Sequence, residues 1–135
     1  MLTPQTVLII SNEEKNRMEL ERTLVRYGLK TAQCGTVTVA KMLISRGKFA
    51  AVFCEQALAD GDYHDVIREI CQSDAGTPVI VISGFGDWEG CVAAMAGGAF
   101  DFLRLPVNPE ELERILLLVL EHCVECEECP THAAD

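Results

Sequence analysis

The sequence is poor in basic residues, with 11 lysines and arginines against 21 aspartates and glutamates and a formal net charge of −10 over 135 residues. Nucleic-acid binding by this domain alone is not expected, because a basic patch that displaces phosphate counterions is missing. Long apolar runs are missing as well. The run from Ile115 to Leu120 is far shorter than the roughly 20 residues of a membrane-spanning helix. The N-terminus lacks the features of a secretory signal, so we expect a cytoplasmic protein that does not enter a membrane.

Cysteine is abundant, but its pattern does not indicate a disulfide framework. The chain has seven cysteines, an odd number, and without a secretory signal they are expected to be reduced thiols. Four are scattered through apolar segments, where cysteine behaves as a small hydrophobic residue: these are Cys34, Cys54, Cys71 and Cys91. The other three are clustered near the C-terminus and are considered below.

Apolar segments of strand and helix type alternate along the whole chain. Strands are predicted at 6–10, 30–34, 50–54, 78–82 and 99–105, and helices at 14–27, 37–46, 63–71, 87–96 and 109–123. The polar stretch 59–62 is predicted to be a loop, and the apolar stripe of the first helix consists of Met18, Leu20, Leu24 and Val25. The strands read as continuous apolar runs, which is typical of a parallel sheet covered on both faces. This alternation predicts an α/β domain. In such folds function gathers at the carboxyl ends of the strands, which here carry Ser11, Asn12, Glu55, Ser83 and Leu105.

The segment from Pro78 to Pro106 is the most distinctive in the chain. It contains Ser83 after an apolar strand, then the pair Gly98-Ala99, Phe102 and Pro106. In this respect the sequence, over about residues 5–121, resembles the receiver domain of two-component response regulators, and especially the receivers of enhancer-binding transcription activators. The resemblance implies a CheY-like, flavodoxin-like fold: a doubly wound five-stranded parallel sheet in the order 2-1-3-4-5, with five helices. It also implies a cis peptide bond before Pro106.

The phosphorylation site of that family is largely missing from this chain. Receivers use two acidic residues to bind Mg²⁺, an aspartate to accept the phosphoryl group, a hydroxyl residue and a lysine. Here Ser11 and Asn12 stand at the acidic pair, Glu55 at the acceptor and Leu105 at the lysine, while Ser83 keeps the hydroxyl. The resemblance therefore predicts a degenerate phosphoacceptor pocket, a pseudo-receiver with weak or no Mg²⁺ binding and no catalytic residues.

Glu55 has two interpretations. In the first, its carboxylate mimics a phosphorylated aspartate, accepts a hydrogen bond from Ser83 and lets the switch aromatic Phe102 turn inward. Alternatively it is a solvated glutamate at a strand end. A carboxylate carries about one negative charge, whereas a phosphate carries nearly two. The residues alone leave both interpretations open.

The C-terminal residues 123–135 form an acidic, cysteine-rich tail after a receiver-like domain at 1–122. Cys123, Cys126 and Cys129 make a C-x-x-C-x-x-C pattern, which predicts either a Zn²⁺ or iron–sulfur site, an interchain or redox-sensitive patch, or incidental cysteines in a tail. A complete set of four ligands is not present in this pattern.

The leading functional hypothesis is a non-enzymatic signal-transduction module that acts through protein–protein interaction. The resemblance implies a protein partner, or a second copy, on the face formed by the fourth helix, fifth strand and fifth helix. One alternative is a metal- or redox-sensing module that uses the cysteine tail. Another is a small flavodoxin-like nucleotide-binding domain, against which the loop SNEEKN after the first strand offers no glycine-rich phosphate cradle.

Overall fold

The computed structural model describes residues 6–73, 76–84 and 88–133, and for residue 88 and residues 122–133 it describes the backbone alone. Within these ranges the strands are β1 (Thr6–Ile10), β2 (Lys30–Cys34), β3 (Ala51–Glu55), β4 (Ala57–Leu58), β5 (Gly61–Asp62), β6 (Val79–Ser83) and β7 (Asp101–Arg104). The helices are α1 (Glu14–Arg26), α2 (Val37–Arg46), α3 (Tyr63–Ser73), α4 (Trp88–Ala96) and α5 (Pro109–Ala133).

The main sheet is parallel, with the strand order β2-β1-β3-β6-β7. Counted by main-sheet strands alone, this is the order 2-1-3-4-5, so the predicted fold is confirmed. The order places β1, β3 and β6 side by side in the middle of the sheet. The loops that follow these three strands therefore open at one edge, which is where the candidate site lies.

Successive strand residues point to opposite faces of the sheet and build two separate cores. Leu8 and Ile10 belong to the core under α2, α3 and α4, whereas Val7 and Ile9 belong to the core under α1 and α5. β6 is buried at all five positions, as expected for a strand covered on both faces. β1, β3, β6 and β7 contribute side chains to both cores, whereas β2 contributes only to the core under α2, α3 and α4.

Glycine ends two helices in the left-handed conformation. Gly28 (φ 80°) follows α1, where its N–H donates to Val25 and the N–H of Leu29 donates to Leu24. These two bonds form a Schellman motif, which satisfies carbonyls at the helix end. The same pair of bonds recurs after α4 at Gly98 (φ 104°). Residues with a Cβ are strained at such φ values, so glycine fixes where both helices stop.

The structure departs from the sequence prediction in three places. The predicted loop at 59–62 forms part of a short hairpin, in which β4 pairs antiparallel with β5. Met18 and Val25, which the helical pattern assigns to the buried face of α1, are about half exposed. The backbone of α5 continues to Ala133, past the predicted helix end and through the compositional boundary at 122/123. No helix among the described residues is long and apolar enough to cross a membrane.

The hairpin is attached to α2 by Asp60. Its carboxylate accepts hydrogen bonds from the N–H of Val37 (2.8 Å), and from the N–H (3.0 Å) and hydroxyl (2.8 Å) of Thr38. These donors favour the charged carboxylate and lower the pKa of Asp60 from 3.8 to about 2. The loop after β3 is thus held against the start of α2.

Asp60→Asn is expected to weaken the pH dependence of unfolding in acid. Because the folded-state pKa is depressed, the contribution of Asp60 is fully present above pH 3.8 and is lost as pH falls through about 2. Urea unfolding at several pH values measures this slope, with Glu121→Gln, an exposed charge, as the control. An unchanged slope in Asp60→Asn would contradict the role of this contact.

Candidate functional site

The candidate site lies where β1, β3 and β6 end. Ser11 follows β1, and Glu55 and Ser83 are the last residues of β3 and β6. Ser11 is fully buried and Ser83 nearly so, whereas Glu55 is partly exposed. The strand register pairs Ile10 with Cys54 and Glu55 with Ile82, so these three residues lie at nearly the same level of the sheet. The structure therefore brings together residues that are far apart in sequence.

The carboxylate of Glu55 is held by two donors from the start of α1. Its Oε1 accepts a hydrogen bond from the backbone N–H of Asn12 (3.4 Å), and its Oε2 accepts one from Asn16 Nδ2 (3.0 Å). Both donors, Asn12 and Asn16, belong to the segment that opens α1. These two hydrogen bonds make Glu55 a link between β3 and α1.

The hydroxyl of Ser11 contacts the backbone of Glu13, two residues further along the chain. Its Oγ accepts a hydrogen bond from the N–H of Glu13 (3.1 Å) and lies within donating distance of the carbonyl of Glu13 (3.3 Å). Short hydroxyl side chains commonly stabilise tight turns in this way. In this chain the residue at the first acidic position of the family site thus shapes the loop between β1 and α1.

Arg17 fixes the same loop from the other side. Its Nη1 donates to the carbonyl oxygen of Ser11. The space for the guanidinium lies beside Gly35, where an added Cβ would stand 3.6 Å from Nη1 and 3.5 Å from the carbonyl of Ser11. Asn12 is consequently held with its N–H available to Glu55.

These residues do not fit a magnesium site. Mg²⁺ takes oxygen ligands in near-octahedral geometry and is normally held by one or two carboxylates. The described pocket offers the single carboxylate of Glu55, and N–H donors already face both of its oxygens. Glu13, the nearest acidic residue in sequence, is exposed at the N-cap of α1. N–H groups that point at an anion present their positive ends, which is the wrong polarity for a cation.

Leu105 follows β7 beside the pocket. Its N–H donates to the carbonyl of Ser83 (3.0 Å), and its side chain packs against the core under α1 and α5. The peptide bond between Leu105 and Pro106 is cis. Beyond it, the N–H of Val107 donates to Glu19 Oε2 of α1 (3.1 Å). The lysine position of the family site is therefore occupied by a side chain that contributes to packing.

Phe102 lies inside the domain. Only 6% of its surface is exposed, and it belongs to the core that includes Val81 of β6 and Ala94 of α4. The aromatic ring is therefore in an inward position next to α4 in this structure.

The described cysteines are free and do not form a redox pair. Cys34 and Cys54 are buried on either side of Ile10, and strand spacing puts them about 10 Å apart, too far for a disulfide. Burial raises the pKa of both thiols, which keeps them protonated and unreactive. Among the described residues, no group of three or more histidine, cysteine, aspartate or glutamate side chains could hold a metal ion. The side chains of Cys123, Cys126 and Cys129 lie outside the described residues.

Three α1 residues that matter to the site were not predicted from the sequence: Asn16, Arg17 and Glu19. Asn16 stands four positions after Asn12, one helical turn further on, and this spacing was the available signal. Arg17 and Glu19 give no such signal, because their partners are backbone atoms, of the nearby residue Ser11 for Arg17 and of the distant residue Val107 for Glu19.

The chain is similar in sequence to known receiver domains. The family model described as "Response regulator receiver domain" matches residues 7–117. The response regulator protein PilR of Pseudomonas aeruginosa is 33% identical over 130 residues, which cover 96% of this chain and 29% of that protein. The C4-dicarboxylate transport transcriptional regulatory protein DctD of the same species is 32% identical over 106 residues, covering 78% and 23%. The chain thus spans less than a third of the length of either relative.

Solved structures give the same result for the fold. The receiver domain of a putative LuxO repressor protein from Vibrio parahaemolyticus superposes with a TM-score of 0.81 at 23% identity, covering 91% of this chain and 95% of that one. The beryllofluoride-activated NtrC4 receiver domain dimer gives 0.74 at 28% identity, covering 89% and 97%. Because the family model matches residues 7–117 and the main sheet has the strand order expected for this fold, the chain belongs to the receiver domain family of response regulators.

Proposed function

We propose that this chain is a two-component receiver module that works without Mg²⁺-dependent aspartyl phosphorylation and acts through protein–protein interaction. The observation that carries the proposal is the pair of hydrogen bonds from Asn12 and Asn16 to the Glu55 carboxylate. They support a pocket built around one permanent anion rather than around a metal ion and an incoming phosphoryl group.

The chemistry of phosphoryl transfer supports the same proposal. Such reactions depend on positioning and on neutralising the charge of the transferred group with metal ions and cationic side chains. Ser11 and Asn12 supply no anionic metal ligands, and Leu105 supplies no cation. An incoming phosphodonor would meet the negative charge of Glu55 without compensation, so the barrier to transfer stays high.

Glu55 also has a favourable electrostatic position. Its Oε1 accepts from Asn12, which directly precedes the N-cap of α1, and the N-cap residue Glu13 makes no capping bond with its own side chain. Negative charge near a helix N-terminus is stabilised by the helix dipole. We therefore assign Glu55 the role of a fixed charge that keeps the pocket in one state, with Phe102 held inward.

Titration with Mg²⁺ is expected to leave the amide NMR signals around the pocket unchanged. The reason is that the N–H donors of Asn12 and Asn16 already occupy the Glu55 oxygens. The matched variant is Ser11→Asp with Asn12→Asp and Glu55→Asp, which restores three carboxylates. This variant is expected to show saturable Mg²⁺-dependent shifts at residues 11, 12 and 55.

Two outcomes separate the proposal from its alternative. Saturable Mg²⁺-dependent shifts at Asn12 and Glu55 of the unsubstituted chain would overturn it. The absence of response must persist at a concentration that saturates the variant, because that comparison shows the assay detects binding.

We place the partner-binding surface on α4, β7 and α5. The two helices flank β7 and expose large apolar side chains there, with Val92 47%, Met95 45% and Leu118 39% exposed. An ion pair between Arg114 and Asp101 (3.3 Å) joins α5 to β7. Exposed apolar side chains beside charged groups are typical of protein interaction surfaces. The module is proposed to be non-enzymatic and cytoplasmic, and to bind a protein or a second copy of itself rather than nucleic acid.

A further inference from the structure

We propose that α1 couples the Glu55 carboxylate to the loop before α5, with Asn16 and Glu19 as the positioning residues. The inference rests on the proposed function only in taking Glu55 as the central group of the pocket. It assigns to α1 a transmission role that is separate from Ser83 and Phe102.

The first step is the spacing of two contacts on α1. Asn16 Nδ2 donates to Glu55 Oε2 at 3.0 Å, and Glu19 Oε2 accepts from the N–H of Val107 at 3.1 Å. Residues three apart on a helix lie on neighbouring parts of one face. Consecutive turns of α1 therefore connect the end of β3 to the loop that follows β7.

The second step is a contact at the far end of α1. The hydroxyl of Tyr27, just after the helix, donates to Glu113 Oε1 of α5 at 3.3 Å. The start of α5 is fixed by Asn108, whose Oδ1 accepts from the N–H groups of Glu110 (2.9 Å) and Glu111 (3.3 Å). A movement of α1 would therefore shift both the loop at 105–108 and the first turns of α5.

The third step is the rigidity of α1 itself. Leu20 and Leu24 are fully buried in the core under α1 and α5, and Arg17 attaches the first turn to the carbonyl of Ser11. Close-packed cores deform little, so a helix anchored in this way moves as a unit. Loss of the bond at Asn16 therefore displaces Glu19 rather than being absorbed within the helix.

The α1 connection can be separated from the route through β6. Leu105 donates to the carbonyl of Ser83, so a second path also reaches the loop before α5. The α1 path uses the side chains of Asn16 and Glu19, whereas the second path joins backbone atoms of Ser83 and Leu105. Substitutions of the α1 side chains therefore interrupt the first path and leave the second in place, and combining them with a change at Glu55 shows which path carries the effect.

The experiment follows the backbone amide signal of Val107 by NMR in the full chain. Glu55→Gln replaces one acceptor oxygen by an NH2 group, which donates and cannot accept, so that one of the two donors Asn12 and Asn16 loses its acceptor. The substitution is expected to shift the Val107 signal beyond the change caused by Glu14→Gln, a matched charge removal at an exposed position in the first turn of α1.

Three backgrounds then test the route. The Val107 response to Glu55→Gln is expected to disappear in Glu19→Ala, to return in Glu19→Gln, whose oxygen still accepts a hydrogen bond, and to persist in Ser83→Ala. If Glu19 had a purely structural role, the Val107 response to Glu55→Gln would not depend on the residue at position 19.

A Val107 response of equal size in Glu19→Ala would overturn the proposal, as would no response in the otherwise unsubstituted chain. Either failure would leave the Mg²⁺ titration unaffected. The coupling and the phosphorylation-independent function can therefore fail separately.

Discussion

Incubation of this chain with acetyl phosphate and Mg²⁺ is expected to give no phosphorylated product in intact-mass measurements. Glu55 stands at the acceptor position, but hydrogen bonds from Asn12 and Asn16 occupy its carboxylate. Ser11 and Asn12 provide no carboxylate to bind a metal ion, and Leu105 provides no positive charge. The charge of a transferred phosphoryl group would therefore not be neutralised. Because charge stabilisation provides most of the catalysis in phosphoryl transfer, its loss is expected to reduce the rate below detection.

The positive control is a chain that carries all five family residues. Ser11→Asp, Asn12→Asp, Glu55→Asp and Leu105→Lys together restore the metal ligands, the acceptor and the cation, while Ser83 is retained. This variant is expected to take up a phosphoryl group, provided that its unfolding transition remains cooperative. Phosphorylation of Glu55 in the unsubstituted chain would contradict the proposed function directly.

Phe102→Ala is expected to lower the free energy of unfolding by about 3 to 5 kcal/mol, the usual cost of removing a buried phenylalanine ring. The ring is 6% exposed and packs in the core under α2, α3 and α4, so its removal leaves a cavity between β7 and α4. Urea unfolding monitored by circular dichroism measures the change.

Two substitutions make this result specific to the position of the ring. Phe102→Leu preserves most of the apolar volume and is expected to cost less than Phe102→Ala. Val92→Ala, at a half-exposed position of α4, is expected to change stability by no more than about 0.5 kcal/mol. A nearly neutral Phe102→Ala would mean that the ring lies outside the core in solution.

Most of the fold was predictable because its signals are local. The apolar runs at β1 and β6 and the helix α2 were predicted within one residue of their observed bounds, since continuous burial and helix-ending glycines leave a clear pattern. The hairpin β4–β5 was missed because strands of two residues carry no periodicity. The predicted buried face of α1 included Met18 and Val25 because both are apolar. In the structure these two side chains are about half exposed.

The candidate site was predictable only as a set of positions. The resemblance assigned Ser11, Asn12, Glu55, Ser83 and Leu105 to one pocket, and the strand register places Ser11, Glu55 and Ser83 at one level. What these residues contact was not predictable. A hydrogen bond between Glu55 and Asn16 spans 39 positions in sequence, and no local pattern specifies it.

The sequence by itself determined the α/β alternation, the receiver resemblance and the loss of acidic and cationic groups from the pocket, because each of these depends on residue type and local spacing. Only the tertiary structure decided which donors hold Glu55, that Phe102 lies inward, and that Asn16 and Glu19 connect α1 to the end of β3 and to the loop after β7. The physical reason is that hydrogen bonds between distant segments depend on how the helix packs on the sheet, and that packing is fixed by both cores together.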